Sequence, residues 1–165
     1  MVDIILWCLY HSLLVHNEIR KIMSVFTDQE RFMLAVDNTV GEFNKTQFEL
    51  YLKLLAEEFV ELLDGLDSGN RIEQLDALID LLVINVGCLH SLGVKSEDSW
   101  IEVIRSNMSK VDPVTGKVLK REDGKVIKPE SYSPPYLNNF VIGDELNQVD
   151  YTEIMLELKN KLGVN

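Results

Sequence analysis

Apolar residues recur at helical spacing along most of this chain, and short polar motifs mark where the helices begin. "TDQE" (Thr27 to Glu30) and "TQFE" (Thr46 to Glu49) fit the capping box, in which a hydroxyl and a glutamate satisfy unpaired backbone amides. "NRIE" (Asn70 to Glu73) and "DYTE" (Asp150 to Glu153) are the Asn and Asp counterparts. These starts predict helices over 28–44, 47–64, 71–91 and 151–162, with Gly65, Gly93 and Gly163 as stops. A further helix begins near Ser96 and runs through "EDSWIEVIRSNM". Beyond it the period disappears: the stretch from Ser109 to Leu137 holds all four prolines, and "KVLKREDGKVIK" alternates apolar and polar residues around Asp123-Gly124, a two-residue hairpin signal. The pattern predicts an all-α helical bundle with one short basic β-hairpin appendage.

Two of these helices carry acids inside apolar surroundings. On the second, Phe48, Tyr51, Leu52, Leu55, Phe59, Leu62 and Leu63 cluster on one face, and Glu57, Glu58 and Glu61 fall together beside it, with Glu58 at the margin. The third is apolar at nearly every angle from Ile72 to Leu89, which predicts an interior helix. Glu73, Asp76 and Asp80 break that coat on a single stripe and should be partly buried together. Two readings of the stripes are open. They are solvated faces, the common fate of helical acids, or a cluster in low dielectric whose repulsion a cation relieves. Oxygen ligands without His or Cys suit a hard ion, Mg2+ or Mn2+, and no EF-hand loop points to calcium.

Length and charge narrow the setting. At 165 residues the chain is sized for one domain, and 16 basic against 27 acidic residues give a formal charge of -11, which disfavours nucleic acid as a partner. Cys8 and Cys88 lack zinc or disulfide spacing, so a reducing cytoplasm is the expected compartment. The apolar run from Ile4 to Val15 follows Asp3 rather than basic residues and is too short to span a bilayer. Residues 1–23 are read as an N-terminal extension, helical or lying upstream of a start at Met23, and 24–165 as one α-helical domain with its hairpin and loop at 109–138. His11, His16 and His90 are scattered and read as surface or packing residues, and Trp100 either contacts a base or, in the commoner role, packs in the core.

Taken together, the motifs resemble the all-α nucleoside triphosphate pyrophosphohydrolases, the MazG-like and phosphoribosyl-ATP pyrophosphohydrolase-like group. "EEFVE" (Glu57 to Glu61) is similar to the family's EExxE element, and "DALIDLL" (Asp76 to Leu82) stands where its second acidic element falls. "SNMSK" and the "DGK" tail resemble a phage and bacterial branch, which adds to the expectation of a bacterial or phage-infected cytoplasm. One position departs from the pattern: Ala77 stands three before Asp80, so Asp76 or Glu73 must supply the ligand expected there. The resemblance implies Mg2+-dependent hydrolysis of a nucleoside triphosphate to monophosphate and pyrophosphate in nucleotide-pool house-cleaning, by a dimer or larger homo-oligomer. It implies Glu58, Glu61, Asp76 and Asp80 as metal ligands, Glu73 as a further candidate, and Glu57 as the group that orients or deprotonates water.

Carboxylates alone do not hold a polyphosphate. Residues 105–128 carry a net +4, which suits a lid over phosphates as well as a solvated hairpin. Asn107 and Lys110 are the first expected phosphate contacts, followed by Arg121, Lys125 and Lys128, while Tyr132 and Tyr136 either stack on a base or pack the loop. The rival from another class is a non-catalytic helical interaction module whose basic ribbon docks an acidic partner. Within the enzyme class, phosphoribosyl-ATP is the alternative substrate.

Overall fold

The computed structural model describes residues 24–141 and 149–164, so the N-terminal extension with Cys8, His11 and His16 lies outside the described residues. Five α-helices form among the described residues: α1 (Val25–Ala35), α2 (Lys45–Asp67), α3 (Arg71–Ser91), α4 (Ser96–Met108) and α5 (Thr152–Leu162), with a 3-10 turn at Asn138–Phe140. The all-α class is as the periodicity predicts. The β-ribbon is not: the chain does reverse at Asp123-Gly124, but one isolated Lys120–Val126 bridge replaces the strands. Residues 119–128 are exposed, and a two-residue-loop hairpin with no apolar face to cover has little to stabilise its strands.

The helix starts show how local chemistry competes. Ser24, not Thr27, caps α1: its hydroxyl accepts from the Thr27 amide (3.2 Å) while Thr27 Oγ1 accepts from the Ser24 amide (3.0 Å). The helix ends at Ala35 rather than near 44 because Asp37 turns left-handed (φ 60°) and the Asn38 amide donates back to the Met33 carbonyl (2.8 Å). Asn44, two residues before the expected Thr46, caps α2 by accepting from the Gln47 amide (3.1 Å). Asn70 caps α3 as its motif predicts, and Asp150 accepts from the Thr152 amide (2.9 Å) at the start of α5.

Gly65 does not stop α2. The helix continues to Asp67, and Gly65 instead permits close approach of α3: a Cβ there would stand 3.1 Å from the Gln74 amide nitrogen, and Gln74 Nε2 donates to the Gly65 carbonyl (2.8 Å). At the other end, Gly87 gives way to the Tyr51 ring, and buried Gln47 Nε2 donates to Ser91 Oγ (2.8 Å). These three pairs fix α2 and α3 as an antiparallel hairpin of helices. Gln47 also exchanges two hydrogen bonds with the Thr39 backbone, which ties the α1–α2 loop to the same end.

The core lies towards that end, where Met33, Tyr51, Ile84 and Cys88 are buried and Phe48, Leu52, Leu54 and Leu55 pack around them. The first half of α3 is a correction to the sequence reading. Ile72 (79%), Leu75 (61%), Leu78, Ile79 and Leu82 are exposed, and only Ala77 among the residues of its first three turns is buried. α3 packs chiefly on α2 and secondarily on α1, so within one chain most of its circumference has no partner helix. No described helix is long and apolar enough to cross a membrane.

Candidate functional site

The α2–α3 register decides which acids meet. Extending it from Tyr51–Gly87 towards Gly65–Gln74 sets Glu58 level with Asp80, and Glu61 level with Ala77 and Asp76. The two acidic stripes therefore face one another. Glu58 and Asp80 are partly buried, whereas Glu57, Glu61, Glu73 and Asp76 remain exposed, which limits the expected joint burial to the inner pair. The Glu58 carboxyl is held above the usual range, first by burial and then by the negative charges of Glu61, Asp80, Asp76 and Glu57. Its Oε2 is buried and makes no hydrogen bond. A buried carboxylate oxygen without a donor is costly unless some cation or proton satisfies it.

A cavity of about 180 Å³ opens beside this pair, lined by Glu61, Asp64, Glu73, Asp76 and Ala77. Asp64 is an acid that the sequence reading passed over, although it stands three residues after Glu61 on the same helical stripe. Glu73 lines the cavity too, but one of its oxygens accepts from Ser68 Oγ (3.3 Å), which ties it to the α2–α3 turn. The donor set is all oxygen, as a hard divalent ion requires. The acids are neighbours without forming a closed cage: among the described residues no three of them converge on one point with metal-ligand geometry.

Glu57 stands at the outer edge. Its Oε1 accepts from Lys161 Nζ of α5 (2.6 Å). Among the described residues this is the only ion pair that engages an acid of the stripes, and the sequence gives no local signal for it because the partners are 104 residues apart.

The basic segment is organised around the C-terminal end of α4. Lys110 Nζ donates to Asn107 Oδ1 (2.7 Å), and Lys110 and Lys128 stand over the Tyr132 ring at 5.6 and 4.4 Å from its centre. Asn107, Lys110, Lys128 and Tyr132 thus form one patch. Arg121 pairs instead with Asp123, whose Oδ1 also accepts from the Lys125 backbone amide (3.0 Å), so the Arg121 guanidinium serves the tip of the reversal. The loop beyond is pinned back on α4: Glu102 accepts from the Tyr136 amide (2.8 Å), and Arg105 donates to both Glu102 and the Pro134 carbonyl. Tyr136 is thereby placed through its backbone, with its ring exposed.

The remaining candidates resolve simply. His90 is buried with Nε2 3.0 Å from the Phe26 carbonyl, a packing histidine. Burial pushes the Cys88 thiol up to about 11, so it is an unreactive core residue. Trp100 departs from its expected core role: it is more than half exposed, and its ring meets Phe26 at 6.4 Å.

No curated protein matches the chain. Residues 29–107 match the family model described as phosphoribosyl-ATP pyrophosphohydrolase. The matched segment spans most of α1 and all of α2 and α3, includes every acid of the two stripes, and ends at Asn107, before the basic loop and α5. The segment 29–107 is thus similar to a pyrophosphohydrolase domain of the MazG-like all-α NTP pyrophosphohydrolase superfamily.

Proposed function

We propose that this protein hydrolyses the α–β phosphoanhydride of a nucleoside triphosphate, releasing the monophosphate and pyrophosphate, in a Mg2+-dependent reaction that removes unwanted nucleotides from the pool. The observation that carries the reading is the buried, unpartnered Glu58 Oε2 at the junction of two facing acidic stripes. Glu58, Glu61, Asp76 and Asp80 would hold the metal, with Mn2+ an acceptable substitute and Glu73 an outer contributor that remains bonded to Ser68. When bound, the ion supplies charge neutralisation at the phosphoryl oxygens and lowers the pKa of a coordinated water.

The chain's own groups do the rest. Glu57, at the exposed edge of the stripe, accepts the proton of the attacking water. The water oxygen bonds to the α-phosphorus as the bond to the bridging oxygen breaks, and pyrophosphate leaves. Asn107, Lys110 and Lys128 form the cationic patch best arranged to receive phosphate; Arg121 would reach it only after leaving Asp123, and Lys125 adds its ammonium from the tip of the reversal.

The exposed apolar stripe of α3 (Ile72, Leu75, Ile79, Leu82) supports a homo-oligomer in which a second copy covers that face. The buried free Cys88 suits the reducing cytoplasm of a bacterium or a phage-infected one. Neither nucleic acid nor a membrane is a partner in this reading.

The family match gives phosphoribosyl-ATP standing as a second substrate, since the same bond is broken. A panel of canonical and modified (d)NTPs and phosphoribosyl-ATP, with Mg2+ and with Glu61→Gln as control, tests both. Pyrophosphate and monophosphate from the wild type alone are expected. Equal turnover by the variant removes the metal site; orthophosphate and diphosphate as products show a different bond is broken; and no turnover of any member favours the non-catalytic interaction module.

A further inference from the structure

Three successive contacts hold α5 on α2. The Tyr151 ring meets Phe48 edge-on at 6.0 Å, Glu157 pairs with Lys53 at 2.8 Å, and Lys161 pairs with Glu57 at 2.6 Å. They advance together along both helices, so α5 runs parallel to α2 in a single register. Between them Ile154 is buried, and Leu158 and Leu162 face Leu52, Leu55, Ala56 and Phe59 across an apolar cavity. Ile154, Leu158 and Lys161 share one helical stripe, so the packing that buries Ile154 also aims Lys161 at α2. Gly163, left-handed at φ 65°, closes the helix immediately after, with the Val164 amide donating to the Lys159 carbonyl (2.9 Å).

An exposed ion pair of this kind adds little to stability. Its position is what matters. A carboxylate that must accept a proton from water needs one oxygen free and a fixed orientation. Lys161 engages Glu57 through Oε1 alone, and Oε2 is the oxygen left to take a proton. Resting on the hydrolase reading above, we infer that Lys161 is a positioning residue for Glu57, and that α5 completes the site from outside the matched domain. The proton passes from the attacking water to Glu57 Oε2, while Lys161 keeps all its protons and holds Oε1.

The test is steady-state kinetics of the full chain on the best triphosphate with Mg2+. Lys161→Ala is expected to lower kcat about tenfold with KM within about twofold, and Lys161→Arg to restore most of the loss. In a Glu57→Gln background Lys161→Ala should add nothing, because the group it positions is gone. Glu157→Gln, which loosens α5 through the neighbouring pair without touching Glu57, should leave kcat unchanged. Wild-type kcat in Lys161→Ala overturns the inference and leaves the hydrolase reading standing. So does an equal loss in Glu157→Gln, which would assign the effect to helix docking. A wild type inactive on every triphosphate overturns both.

Discussion

Glu58 concentrates the physics of this molecule in one side chain. It sits where α2 and α3 face each other, with burial and four neighbouring acids opposing its charge and no donor for Oε2. Glu58→Gln removes a repelled charge while keeping the shape. In chelator at neutral pH the variant should therefore unfold about 2–4 °C above the wild type. Saturating Mg2+ should raise the wild-type midpoint but not the variant's, because a ligand of the native state stabilises only where it binds. Equal Mg2+ stabilisation of both proteins in thermal melts would remove Glu58 from the site. The i, i+3 spacing of Glu58 and Glu61 makes them legible in the sequence as a stripe. Asp64, one more step along it, is equally regular, but it borders Gly65, which reads in the sequence as a helix stop. Lys161 had no such signal: its contact with Glu57 exists only once α5 is docked.

The elements differ in how they are tied down. α3 begins where Asn70 predicts, yet α1 and α2 are capped three and two residues before their expected caps, because Ser24 and Asn44 also offer side-chain acceptors and the earlier one closes the helix. The loop after the basic segment is fastened to α4 through Glu102, whose carboxyl is held down at about 2 by the Arg105 guanidinium and then by the Tyr136 amide. A carboxylate depressed in the folded state contributes above its ordinary value of 4.5 and loses that contribution as pH falls through the folded value. The Tyr136 amide should thus stay protected from exchange down to about pH 4 and lose protection progressively as pH drops towards 2. Glu102→Gln should expose it at neutral pH. Amide exchange by NMR reads both, and unchanged protection in the variant would show that the loop is held by other contacts.

For the whole molecule, the unresolved tension is an apolar α3 face of Ile72, Leu75, Ile79 and Leu82 turned to water. If a second copy covers it, sedimentation should give a dimer or larger species, and Leu75→Glu should yield a folded monomer, since a charge at the centre of a dry interface lacks a partner. A monomeric wild type at micromolar concentration would sink that assembly. The amino-acid order by itself determined the all-α class, the capping of α3, the stop at Gly163 and the two acidic stripes, because these depend on spacing along one helix or on side chains a few residues apart. It did not determine which acids meet, how α5 reaches Glu57, or that half of α3 lies outside the core. Those follow from the α2–α3 register, set by Gly65, Gly87 and Gln47 at the helix contacts, and from the number of helices available to cover each face. Contacts between residues distant in the chain are settled by packing, on which local periodicity is silent.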